Sequence, residues 1–420
     1  MKRIKNIVKM SLVIIIINFT SCSFEYPKFN VSINYNLKNI ETLEKYSLII
    51  DNKDTLWGTG YNYYGQLGNG TNDSVDEPIK IMENIEYVSA SNDYTMIIKA
   101  DGSLWGTGYN NYGQLGNGTN ISVNEPIKIM ENVEYVSVGD DYTMIIKADG
   151  SLWGTGHNNY GQLGNGTNIS VNEPIKIMEN VECVFAEKDY TMIIKDDGSL
   201  WGTGYNLYGQ IGAGTDYIIY EPMKIMENVK YVFLGYDYTM IIKDDGSLWG
   251  TGHNNYGQLG NGTNISVNEP IKIMENVEYV SVGDDYTMII KADGSLWGTG
   301  HNNYGQLGNG TNISVNEPIK IMENVEYVSV GDDYTMIIKD DGSLWGTGYN
   351  LFEQLGVKTD DSVNKPIKIM ENVKCVSAAE DHTMIIKRDG SLWGTGYNSY
   401  GQLGVGYDYS VNEFIKVFFK

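Results

Sequence analysis

All eight tryptophans of the chain stand 48 residues apart: Trp57, Trp105, Trp153, Trp201, Trp249, Trp297, Trp345 and Trp393. Around each runs a version of DGSLWGTGYNNYGQLGNGT. A fixed period of this size marks one supersecondary unit stacked many times, and a unit that cannot bury its apolar face alone must pack on its neighbours. The repeat therefore overrides the two or three domains that 420 residues would otherwise imply.

One unit, residues 101–148, contains four short stretches with strand character. SLWGTG follows an Asp-Gly turn, PIKIME and EYVSVG alternate apolar and polar residues, and YTMIIKA leads to the next Asp-Gly. Asp-Gly between apolar runs is a tight-turn signal, because glycine accepts positive φ without a side-chain clash. NNYGQLGNGTN reads as a structured loop rich in asparagine and glycine. Nothing in the unit has a helical period. Four strands of about five or six residues with short connections fill one unit of a β-propeller.

The chain ends support a ring. Residues 37–56 align in phase with residues 133–152, and the final repeat stops at Lys420. We therefore expect an all-β propeller of four-stranded blades, eight units by count over residues 37–420, with seven blades and an appendage as the alternative. We also expect the N-terminal strands to complete the C-terminal blade, since shared strands would remove exposed edges.

The repeat resembles that of the regulator of chromosome condensation family. Asn110 stands three residues before Gly113-Gln114-Leu115-Gly116, Pro126 follows, and Gly139 to Thr143 match a Gly-x-x-His-Thr site with Tyr142 in place of histidine. His382 keeps that histidine. Two departures stand out: Thr107 fills a position that is often tryptophan, and Phe414 replaces the last repeat proline. The resemblance implies a propeller. It also implies partner binding, with guanine-nucleotide exchange as the family's best-known activity and inhibition of a β-lactamase as a bacterial precedent.

The N-terminus suggests an address. Residues 1–10 are basic, an apolar stretch of roughly ten residues follows, and Phe19-Thr20-Ser21-Cys22 resembles a bacterial lipobox. The stretch is too short to span a bilayer, which needs about 20 residues, and fits a secretory signal. The expected organisation is a lipoprotein signal peptide at 1–21, a tether at 22–36 and the propeller at 37–420, with Cys22 as the lipid attachment. The expected location is the bacterial cell envelope, outer membrane or surface. Cys183 and Cys375 are expected to be free thiols.

Candidate chemistry is sparse. His157, His253 and His301 replace a repeat tyrosine and read as half-buried hydrogen-bonding rings. The acid pairs Asp140-Asp141, Asp284-Asp285 and Asp332-Asp333 read as turns on a solvated rim. No nucleophile elbow, phosphate loop or zinc spacing is present. We expect no catalytic residue, no metal, no cofactor and no enzymatic activity. A formal net charge of −23 argues against nucleic-acid partners. The tryptophans read as blade packing. The function that follows is a monomeric, lipid-anchored envelope scaffold for protein or ligand binding and adhesion. The alternatives are inhibition of a secreted enzyme and, third, nucleotide exchange. Specificity is placed in the loops, where His157 and Leu207 break the pattern.

Overall fold

A computed structural model describes residues 37–359 and 361–419. They form thirty-two strands in eight antiparallel sheets of four, so the count of eight blades holds and the seven-bladed alternative falls. The blades run Leu37–Met82, Ile85–Met130, Val133–Met178, Val181–Met226, Val229–Met274, Val277–Met322, Val325–Met370 and Val373–Lys416.

Within the third blade the strands are Val133–Val138, Tyr142–Lys147, Leu152–Gly156 and Val171–Met178, paired in that order. The first strand of each blade lies innermost, where consecutive blades meet around the axis. The last lies outermost, with no residue of Val171–Met178 fully buried. Asp149 sets the tight turn between the second and third strands by accepting from Ser151 N and Oγ at 3.0 and 2.5 Å, and Gly150 has φ 77°. Ser151 Oγ in turn accepts the Trp153 indole N–H at 2.9 Å. Half-buried Trp153 packs on the apolar cluster between the second and third blades, as expected of a packing residue.

The core is divided among the joints. Eight clusters each draw side chains from two consecutive blades, and one of them joins the eighth blade to the first. The ring is closed.

Closure does not use a shared strand, which corrects the expected exchange between the chain ends. Leu37–Thr42 and Tyr46–Asp51 pair with Leu56–Gly60 and Val75–Met82 to make one contiguous blade. A count of 20 leading and 28 trailing residues cannot distinguish the two arrangements, because the 20 residues also make a full unit with those that follow them. The seam is packed like the other joints. Thr59 Oγ1 donates to Gly401 O at 2.7 Å, Gly406 N donates to Asp76 O at 2.7 Å, and Phe419 meets the Trp57 ring at 5.3 Å.

Cys375 is a buried free thiol, as expected. Cys183 is disulfide-bonded, which corrects the expectation of two free thiols; its partner is not among the described residues. The expected signal peptide at 1–21, Cys22 and the expected tether at 22–36 also lie outside the described residues.

Candidate protein-docking face

The signature asparagine and glutamine build the loop between the third and outer strands. Asn158, with no exposed surface, donates through Nδ2 to Asn165 Oδ1, Thr167 O and Ile169 O at 3.0 to 3.2 Å. Its Oδ1 accepts Leu163 N at 3.0 Å. The loop then locks onto the next blade: Thr203 Oγ1 donates to Gly161 O at 2.9 Å. The glycine is required at that contact. A Cβ on Gly113, at φ 81°, would lie 2.5 Å from Asn172 Cα of the following blade. Residues matched to the family motif are thus structural fixtures that hold the loop rigid.

This rigidity positions an aromatic belt that the sequence reading missed. Each loop carries two rings, such as Tyr109 and Tyr112, and the first position becomes His157, His253 or His301 in three blades. Ring centroids lie 6.1 to 6.5 Å apart within blades two to eight. Across the eight joints they lie 4.8 to 5.4 Å apart. In the first blade, Tyr63 bridges Tyr61 and Tyr64 at 6.3 and 5.2 Å. The chain of contacts returns to Tyr61 through Tyr400, so the belt closes on itself. Most pairs are edge-to-face, the favoured geometry for aromatic quadrupoles. The signal was visible as an aromatic or histidine recurring at two fixed positions per repeat.

Inside the belt, the turns between the inner and second strands surround the mouth of the ring. In five turns the second residue is an acid that does more than face solvent on the rim, which corrects the expectation of turns on a solvated rim. Gln114 Nε2 donates to Asp141 Oδ1 at 2.9 Å across the joint, and four further blades repeat this bond. Burial pushes Asp141 up to about 6, with the charge of Asp140 adding to it and His157 opposing. Asp381 rises to about 6 through burial and then the charges of Asp333 and Glu44. Glu380 rises to about 7 by burial, assisted by Glu44 and Asp381. Acids on neighbouring blades therefore feel one another around the mouth. The ring of acids is interrupted at Lys45 and Asn92 and at Lys188 and Tyr236, where Lys188 Nζ stands 3.1 Å from the centroid of the Tyr236 ring.

The three belt histidines are hydrogen-bonding rings, as the sequence reading proposed. Gln162 Nε2 lies 3.0 Å from His157 Nδ1, and Asp189 Oδ1 lies 3.6 Å from the same atom. They stand on separate blades, and the described residues hold no cluster of three or more His, Cys, Asp and Glu able to hold a metal ion. His382 lies elsewhere, fully buried between blades with both ring nitrogens unpartnered. Burial lowers it to about 3.

Comparison with known proteins gives the context of this face. The regulator of chromosome condensation (RCC1) repeat matches at residues 53–98, 101–146, 149–188, 197–242, 245–290, 293–338 and 341–386. A second RCC1 repeat description matches five segments that overlap these, among them 85–114 and 373–402. Among solved structures, human WBSCR16 is similar at 21% identity and TM-score 0.60, over 76% of this chain and 93% of that one. Prp20p of Saccharomyces cerevisiae, studied with its binding to Gsp1p and histones, is similar at 18% identity and TM-score 0.60. That likeness covers 77% of this chain and 87% of that one. Yeast RCC1 (Prp20) bound to Kap60 is similar at 18% identity and TM-score 0.58, over 78% and 83% of the two chains. No curated protein matches the chain.

These findings correct the functional expectations. The lipid-anchored bacterial envelope scaffold rested on the basic residues 1–10, the short apolar stretch and Phe19 to Cys22, its adhesion role on the loops, and the inhibitor alternative on a bacterial precedent within the repeat family. The structural likenesses over most of the chain are to human and yeast proteins, and the partners named for the yeast protein are Gsp1p, histones and Kap60. The lipoprotein, membrane-anchor and cell-surface readings are withdrawn. The exclusion of catalysis is corrected too. It was drawn from missing nucleophiles, whereas nucleotide exchange, the activity best known for this repeat, accelerates dissociation by docking and breaks no covalent bond.

Proposed function

Because the chain belongs to the regulator of chromosome condensation repeat family, we propose that it acts by docking a protein partner on the face that carries the aromatic belt. The belt is the observation that supports this reading. Its rings are held by neighbours on both sides, so a partner orders little on binding. Tyr112, Tyr256 and Tyr304 remain about two-fifths exposed, at 39, 41 and 39%. Tyrosine and histidine at such positions combine apolar area with a hydrogen-bonding tip, the chemistry enriched at protein interfaces. The acids at the mouth add a negative field that favours a basic partner surface and speeds its approach.

A second reading follows from the fold likeness to Prp20p: nucleotide exchange on a small GTPase that docks on this face. Two measurements test the pair. Crosslinking followed by capture is run with the wild-type chain and with a Tyr112→Ala/Tyr256→Ala/Tyr304→Ala variant. Partners that crosslink equally to both sink the belt reading. Release of labelled GDP from Gsp1p, with and without the chain, tests the second. An unchanged release rate removes exchange on that GTPase and leaves docking to be judged by the first measurement.

A further inference from the structure

The loop of the fourth blade departs from the repeat, as do those of the first, seventh and eighth blades. Residues 249–296 and 297–344 differ only at Ala292 against Asp340. The fourth blade, by contrast, exchanges polar loop residues for apolar or acidic ones. Leu207 and Asp216 stand where the third blade has Asn159 and Asn168. Leu207 is 49% exposed where four other blades present asparagine, and Tyr63 of the first blade and Leu351 of the seventh are exposed at the same position, at 64 and 54%. Beside this loop, against the outer strand Val267–Met274 of the fifth blade, lies a groove of about 430 Å³. Leu207, Tyr208, Val267 and Ile271 form its apolar surface, and Asp216 and Glu269 line it as well. Among the described residues, no lysine or arginine lines it. Asp216 is held in place, accepting Asn268 Nδ2 at 2.9 Å across the joint. Tyr208 is also a belt residue, so the groove borders the docking face.

We infer that this groove takes an extended segment of the partner in which one apolar side chain is flanked by lysine or arginine. The apolar side chain enters beside Leu207 and Ile271, and the cation meets Asp216 and Glu269. Both features are needed for the assignment. An exposed apolar depression marks a contact site, and two carboxylates lining it without a lysine or arginine from the described residues, on a chain of formal charge −23, set the sign of what approaches. The inference rests on the docking reading and deepens it by stating what the partner presents.

The test is selection of a random peptide phage library on the wild-type chain, followed by affinity measurement of the enriched peptides. Enriched sequences are expected to carry an apolar residue beside lysine or arginine. Binding is expected to fall on the order of tenfold or more, the scale of one lost anchor, in Leu207→Asn. A similar fall is expected in Asp216→Asn/Glu269→Gln, and there the difference from wild type shrinks as salt is raised. The Leu207→Asn and Asp216→Asn changes restore residues that already stand in the equivalent loop of the third blade, and the thermal unfolding of each variant confirms an intact ring. No enrichment, enrichment without basic residues, or equal binding by both variants overturns the inference. The belt variant separates the two readings. If it keeps peptide binding while losing crosslinked partners, both stand. If it keeps both, the belt reading fails and the groove stands alone.

Discussion

Asn158 illustrates how much of this fold hangs on single polar side chains. It is fully buried and makes four hydrogen bonds, to Leu163, Asn165, Thr167 and Ile169, that fold the loop around it. Alanine would leave a buried backbone N–H and carbonyls without partners, each at about 1–3 kcal/mol. We expect Asn158→Ala to lower unfolding free energy by about 3 kcal/mol, read from the denaturant midpoint, whereas Asn168→Ala in the exposed part of the same loop should move it little. A midpoint unchanged in Asn158→Ala would show that water replaces the side chain. The importance of this asparagine was legible in the sequence as a fixed position before Gly-Gln-Leu-Gly. Its partners were not, because they are backbone atoms chosen by the loop's closed conformation.

At the scale of the element, the second strands are linked by a ladder of tyrosine hydroxyls. Tyr94 donates to Tyr142 O at 2.5 Å, Tyr142 to Tyr190 O at 2.5 Å, and the series continues to Tyr334, which donates to His382 O at 2.7 Å. It begins with Tyr46, whose hydroxyl reaches Ser91 O at 2.6 Å. At the seam His382 is too short to continue it, and Ser47 Oγ, where other blades present a threonine to the hydroxyl, is buried without a partner. We expect His382→Tyr to complete the ladder and raise stability by about 1 kcal/mol at pH 7. The gain should be larger in acid. Burial depresses the folded His382 to about 3 from its ordinary 6.5, so the wild-type stability tied to its neutral form is full above about 6.5. It is lost as pH falls from there towards 3, because the unfolded chain takes up the proton first. Denaturant midpoints of both proteins at pH 7 and pH 5 check this. Parallel curves would remove the protonation argument.

For the whole molecule, the acids at the mouth work in the opposite sense. Asp141, Asp381 and Glu380 are raised to about 6, 6 and 7, and Glu187 and buried Glu41 to about 8. Burial is the main cause in each. A carboxyl raised in the folded state favours folding when protonated, and that contribution is lost as pH rises through its folded value. Stability should therefore increase as pH is lowered from 8 to about 6.5, before the loss at His382 begins, and His382→Tyr should extend the increase further. A flat or falling profile over that interval would show that the acids are fully solvated. The same acids should lose charge over this range, so partner binding that depends on them should weaken together with its salt sensitivity.

Closure without a shared strand also makes a prediction for the molecule. Every blade is contiguous and the seam carries the same kind of contacts as the other joints, so the position of the chain ends is not what holds the ring. A circular permutant that joins Lys420 to Leu37 and opens between Met226 and Val229 should fold to a single cooperative transition with a far-ultraviolet spectrum like the parent's. Loss of cooperativity would mean that the fourth-to-fifth joint needs its covalent link.

What the sequence by itself determined was the repeat and its local chemistry. Alternation selects strands, Asp-Gly selects turns and the tryptophan period counts eight units, because each of these is a property of neighbouring residues. The phase of the blades, the aromatic belt and the acid mouth were decided only in the tertiary structure. Tyr112 meets His157 and Gln114 meets Asp141 across a joint between blades, at 4.8 and 2.9 Å. A periodic sequence repeats identically whichever strand opens a blade, so only the pairing of strands in space breaks that degeneracy. A belt that closes on itself needs a ring whose last blade packs on its first, and no single repeat contains that contact.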